Sequence, residues 1–86
     1  MAGLSVDLVS SDRKVWSGTA QSVSAPSVNG DIGVMAGHTP LLAVLKPGTV
    51  HVVASDGSDL KAEVNGGFMS VDNNLVTVVA DEITQV

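Results

Sequence analysis

The sequence predicts an all-β domain, an antiparallel sandwich or barrel, on three observations. Apolar and polar residues alternate through much of the chain, the period at which strand side chains return to one face. Turn-forming pairs interrupt that alternation at short intervals, as in small all-β folds. Valine dominates the apolar set with sixteen residues, while Trp16 and Phe68 are the only aromatics. β-branched side chains are stiff at χ1 and suit a pleated, half-buried surface better than a helix.

Taken in order, Leu4, Val6 and Leu8 share one face opposite Ser5 and Asp7. Val50, Val52 and Ala54 alternate with His51, Val53 and Ser55. In Asp59-Leu60-Lys61-Ala62-Glu63-Val64 every charge lies on one side and every apolar group on the other, the mark of a strand with one wet face. Val76, Val78 and Ala80 repeat the pattern, although Val79 makes their opposite face partly apolar. Turns are expected at Ser11-Asp12, Ser17-Gly18, Asn29-Gly30, Pro47-Gly48, Asp56-Gly57, Gly66-Gly67 and Asn73-Asn74. Asn-Gly and Asp-Gly are the strongest of these signals, because hairpin turns need residues that accept positive φ. No window sustains a 3.6-residue apolar period without a glycine or proline in it, so no helix is expected. With no repeat, linker or low-complexity tract, residues 1–86 form a single domain. A chain this short buries only about 60–65% of its unfolded surface, so its stability is modest.

Composition removes several function classes. Four basic residues face nine acids, for a net charge of −5. Nucleic-acid binding needs a cationic surface and, for single strands, stacking rings; neither is present. No apolar run approaches the roughly 18 residues of a membrane span, and no charged-then-apolar leader opens the chain, so direct membrane insertion is not expected. Cysteine is absent, which excludes disulfides and thiolate metal sites.

Chemical constellations are equally sparse. His38 and His51 are the only histidines, and neither stands at a metal-ligand spacing from another plausible ligand. Gly33 and Gly37 have three residues between them where a P-loop has four, with histidine where that loop carries lysine, and Pro40 precedes a strand where it precedes a helix. This rejects a phosphate cradle. Asp81 and Glu82 are adjacent and point opposite ways on a strand, unlike a converging acid pair. No G-x-S-x-G elbow surrounds any serine. No catalytic residue, cofactor or metal site is therefore assigned. What stands out is apolar: Val34, Met35, Leu41, Leu42, Val44 and Leu45 crowd around the Gly37-His38-Thr39-Pro40 turn. They form either a packed core corner or a patch that a partner covers. Two other readings are open at this point. A small-molecule-binding β-module predicts an enclosed pocket, and a hydrolase requires His38 within reach of a serine or Asp31.

The order Gly30-Asp31-Ile32-Gly33-Val34, then Gly37-His38-Thr39-Pro40-Leu41, then Leu45-Lys46-Pro47-Gly48 resembles the core motif of the epsilon subunit family of F-type ATP synthases. Leu4–Ser10 followed by Val15-Trp16-Ser17-Gly18, then Gly66-Gly67-Phe68 and Val76–Asp81, extend the likeness over nearly the whole chain. The resemblance implies a ten-stranded, flattened antiparallel β-sandwich that performs no chemistry. It implies a peripheral piece of the central stalk, at the cytoplasmic face of the bacterial plasma membrane, coupling ring rotation to ATP synthesis. Its implied partners are the gamma subunit and the ring of c subunits, with no small-molecule substrate. Positions matching the gamma contact are Ser10, His38, Thr39, Pro40, Leu42 and Ala43; those matching the c-ring contact are Val28, Asn29, Gly30 and Asp31. Asp31 stands where the family usually carries glutamate, and Met35-Ala36 departs from its usual pair. Most members continue into a two-helix C-terminal domain. Here that helical hairpin is read as absent beyond Val86, and no ATP affinity is expected. Met1-Ala2-Gly3 reads as a chain start.

Overall fold

Leu4, Val6 and Leu8 point inward from the first strand and are almost fully buried, as their alternation requires. The computed structural model describes residues 3–86; the reading of a chain start rests on Met1 and Ala2, which lie outside the described residues. Seven strands follow one another: β1 (Leu4–Val9), β2 (Lys14–Ser27), β3 (Gly30–Met35), β4 (Leu41–Ala54), β5 (Asp59–Asp72), β6 (Leu75–Val79) and β7 (Ile83–Gln85). No helix occurs among the described residues, so none is long and apolar enough to cross a membrane.

The strands pair in the order β1-β6-β5-β4-β2, and β1 also pairs with β2, which closes a five-membered ring. β3 extends from β2 and β7 from β5. An odd ring cannot be antiparallel throughout: directions alternate around it until two neighbours must agree. That seam is β1–β6, which is parallel, with Val6 opposite Val76 and Leu8 opposite Val78. Among the described residues, closure leaves β3 and β7 as the strands that end the sheet, which limits the unpaired backbone available for aggregation.

Two sequence expectations are corrected by this arrangement. The strand number is seven, not ten, and the sheet is mixed, not antiparallel. The cause lies in three expected turns, Ser17-Gly18, Pro47-Gly48 and Gly66-Gly67, which fall inside β2, β4 and β5. Each of these strands is 14 residues long and bends where a turn is expected or close to it. Between Ser24↔His51 and Ser27↔Leu45 the β2–β4 ladder is interrupted, and both Pro26 and Pro47 sit in that gap, where their missing N–H groups cost nothing. A Cβ on Gly48 would come within 2.9 Å of the Pro26 ring, so the close approach of the two strands needs glycine there.

Each bend also reverses the inward parity of its strand. On β5 the buried residues are Ala62 and Val64 before the bend, but Met69 and Val71 after it. On β4 they are Leu45 before, and Val50 and Val52 after. The β4–β5 ladder keeps its register through the change, so the two strands exchange faces together. The interior is a single aliphatic core of leucine, valine, alanine, Met69 and Ile83, with Trp16 packed at its margin.

Candidate functional site

The parity reversals determine what the outside of the molecule presents. Had β4 and β5 alternated without interruption from Val50–Val52 and Ala62–Val64, Leu42, Val44 and Phe68 would point inward. They point outward instead, 71%, 49% and 52% exposed. Cross-strand register places Val44 opposite Phe68, and Phe68 opposite Val79, which is also exposed. The row continues on one side to Val9, the partner of Val79. On the other side the Val28 N–H donates to the Val44 carbonyl at 3.0 Å, bringing exposed Val28 alongside. Neighbouring side chains across a ladder lie about 5 Å apart, so Val28, Val44, Phe68 and Val79 form a continuous apolar row, flanked by Leu42. Monomeric proteins seldom expose such contiguous surface unless something covers it.

The opposite half of the barrel differs. There Glu63 faces Thr49 and Lys61 faces His51 across the β4–β5 ladder, and all point away from the core. His51 Nε2 lies 3.3 Å from Asp59 Oδ1, within ion-pair range but without hydrogen-bond geometry. One face is therefore apolar and the other charged.

The sequence-assigned residues distribute around the apolar row. His38, Thr39 and Pro40 lie in the loop between β3 and β4, immediately before Leu41 opens β4. That loop is anchored by the His38 N–H on the Met35 carbonyl (3.2 Å) and by the Gly37 N–H on Asn74 Oδ1 (2.8 Å). The His38 Nδ1–H donates to the Thr39 carbonyl at 2.7 Å, which orients the ring locally. Ala43 shares the inward parity of Leu45 and pairs with buried Met69, so its side chain belongs to the core side of β4. Ser10, beyond the far end of β1, is buried; its Oγ lies 2.9 Å from Asp12 Oδ1 and 3.1 Å from the Arg13 carbonyl. This serine organises the β1–β2 turn. Val28, Asn29, Gly30 and Asp31 form the exposed β2–β3 turn, which the Val28–Val44 bond joins to the apolar row.

Of the six crowded residues around His38, Val34 and Leu45 are core, Leu41 is half-buried, and Met35, Leu42 and Val44 are exposed. Phe68 escaped sequence reasoning because Gly66-Gly67 reads as a turn, not as a parity change. Val79 carried a legible signal, the second apolar face of β6.

Catalytic arrangements do not assemble. Asp31 lies at the start of β3 and His38 beyond its far end, with about 13 Å of strand between Asp31 and Met35, and no serine hydroxyl bonds to His38 among the described residues. Nor does any group of three or more His, Asp and Glu suited to a metal occur among the described residues. The depressions beside Thr19–Gln21 and beside Asn65–Phe68 are open grooves, not enclosed cavities.

Residues 3–86 match the family described as the beta-sandwich domain of the ATP synthase delta/epsilon chain. The chain is 51% identical to the ATP synthase epsilon chain of Micrococcus luteus over 80 residues, covering 93% of itself and 88% of that protein. It is 50% identical to the epsilon chain of Streptomyces coelicolor over the same length, but spans only 64% of that protein. Among solved structures, a chain of the Euglena gracilis mitochondrial ATP synthase (OSCP/F1/c-ring) superposes with a TM-score of 0.93 at 23% identity, over 99% of this chain and 54% of that one. A chain of the Tetrahymena thermophila mitochondrial ATP synthase central stalk and c-ring gives 0.75 at 16% identity, over 93% and 64%. Both superpositions support the same fold.

Proposed function

Because this chain belongs to the ATP synthase delta/epsilon chain family through its β-sandwich domain, we propose that it couples c-ring rotation to ATP synthesis as a piece of the central stalk. It is a non-catalytic epsilon-type chain. The observation that carries the reading is the apolar row Val28–Val44–Phe68–Val79 with Leu42 beside it. We assign this face to the gamma subunit. The His38-Thr39-Pro40 loop borders it at one end, and Ser10 holds the turn at the other. Ala43 supports the face from beneath. The exposed turn Val28-Asn29-Gly30-Asp31 is assigned to the polar loops of the c ring. On this reading the protein sits at the cytoplasmic face of the bacterial plasma membrane without entering it. It transmits torque through shape, with no cofactor or small-molecule substrate.

Purified gamma subunit provides the test. Leu42→Asp and Phe68→Asp place a charge that must be desolvated at the centre of the contact, and each is expected to weaken binding by at least about 2 kcal/mol, roughly thirtyfold. His38→Asp weakens it as well. Lys61→Ala, on the charged face, leaves gamma binding unchanged. Asp31→Lys preserves gamma binding and reduces association of the gamma complex with the c ring. Undiminished gamma binding by folded Leu42→Asp and Phe68→Asp proteins would sink the assignment.

A further inference from the structure

Three bonds in this chain join an Asn or Asp to a following glycine: Asn29-Gly30, Asp56-Gly57 and Asn65-Gly66. Such bonds share a latent reaction, because a glycine lacks the Cβ that would keep its backbone nitrogen away from the preceding side chain. The structure treats the three differently. Asp56 is held by Ser58, whose N–H and hydroxyl donate to Oδ1 at 2.9 and 2.6 Å. These bonds lower the Asp56 pKa and keep it in the carboxylate form, a poor electrophile. Asn65 lies within β5, and its Oδ1 accepts the Glu82 N–H at 3.1 Å, which fixes the amide away from its own backbone. Asn29 sits exposed in the β2–β3 turn. It is tied down only by its backbone N–H on Ser27 Oγ (3.0 Å), and its side-chain amide bonds to no described residue. Gly30 has φ +119° and nothing within 4 Å of the position a Cβ would take, leaving room for a ring to close.

We propose that Asn29 is the residue at which this chain spontaneously deamidates, through a succinimide closed by the backbone nitrogen of Gly30. The Gly30 nitrogen loses its proton to solvent base and attacks the Asn29 Cγ. A C–N bond forms, the bond to the side-chain nitrogen breaks, and that nitrogen leaves as ammonia. Water then opens either carbonyl of the ring, giving aspartate or isoaspartate at position 29, with no oxidant or reductant involved. The product carries a new negative charge two residues from Asp31. The isoaspartate form adds a methylene to the main chain of a tight turn, a substrate for isoaspartyl methyl transfer. The altered charge falls in the turn assigned above to the c ring; that consequence rests on the docking reading, whereas the modification does not.

The test is ageing of the whole protein in mildly alkaline buffer, followed by peptide mapping and by enzymatic methylation of isoaspartate. The peptide containing Asn29 is expected to gain the mass of an amide-to-acid conversion at least roughly tenfold faster than the peptide containing Asn65, because the latter must first open its strand. Asn29→Gln removes the methyl-accepting product while leaving thermal unfolding unchanged. An unmodified Asn29 peptide, or equal conversion at Asn29 and Asn65, overturns the proposal. Conversion at Asn29 with unaltered c-ring binding leaves the modification standing and counts against the c-ring assignment of the turn.

Discussion

Single residues decide whether this backbone can be built at all. Gly67 has φ +128°, and a Cβ placed there would overlap the Val79 carbonyl across the β5–β6 ladder. Gly67→Ala is therefore expected to cost about 2–4 kcal/mol through backbone strain and displacement of β6. Urea denaturation measures that cost, and a loss within error of zero would mean that the strands do not approach so closely. Gly30→Ala meets no neighbour, and its cost is confined to its own conformation. At this scale the sequence was partly legible. Leu42 announced itself as an apolar residue beside a turn. The inward turn of the Ser10 hydroxyl on Asp12 and Arg13 was not legible, because local hydroxyl bonding leaves no periodic trace. Ala43 and Leu42, as neighbours on a strand, face opposite sides of it.

At the scale of elements, what the sequence made plain was alternation, and what it hid was reversal of alternation. Leu4–Leu8 and Val76–Val78 bury the residues that the pattern marks, as do Ala62 and Val64, with Leu60 half-buried beside them. Glycine and proline pairs, however, are ambiguous: the same chemistry that ends a strand also lets it kink and continue. Only the partner strand resolves the choice, and that partner is remote in sequence. Asn29-Gly30, Asp56-Gly57 and Asn73-Asn74 do turn, and the last uses positive φ at both asparagines. If the Gly66-Gly67 kink sets the outward placement of Phe68, deleting Gly66 forces Phe68 toward the core and Met69 toward solvent. The deletion is expected to abolish cooperative unfolding monitored by Trp16 fluorescence. Phe68→Ser, which alters an exposed side chain without shifting register, should change stability by no more than about 0.5–1 kcal/mol. A sharp transition in the deletion protein would show that the parity argument is wrong.

For the molecule as a whole, the barrel is held by an interior shared by all the ring strands, while the apolar row on its outside contributes little to it. The seam between β1 and β6 has a consequence in time. Val6 and Val76, neighbours in space, are separated by almost the full chain. Loop-closure entropy sets in before such a contact can reward it, so refolding should fall in roughly the millisecond-to-second range of non-local topologies. Val76→Ala is expected to accelerate unfolding by about tenfold and alter refolding by less than about twofold, as for a contact made after the transition state. Stopped-flow fluorescence distinguishes the two rates, and a slowed refolding limb would place the seam in the nucleus instead. During synthesis β1 leaves the ribosome with one flank bare. It must wait, unlatched, until Leu75–Val79 have been translated before the wall can shut around it.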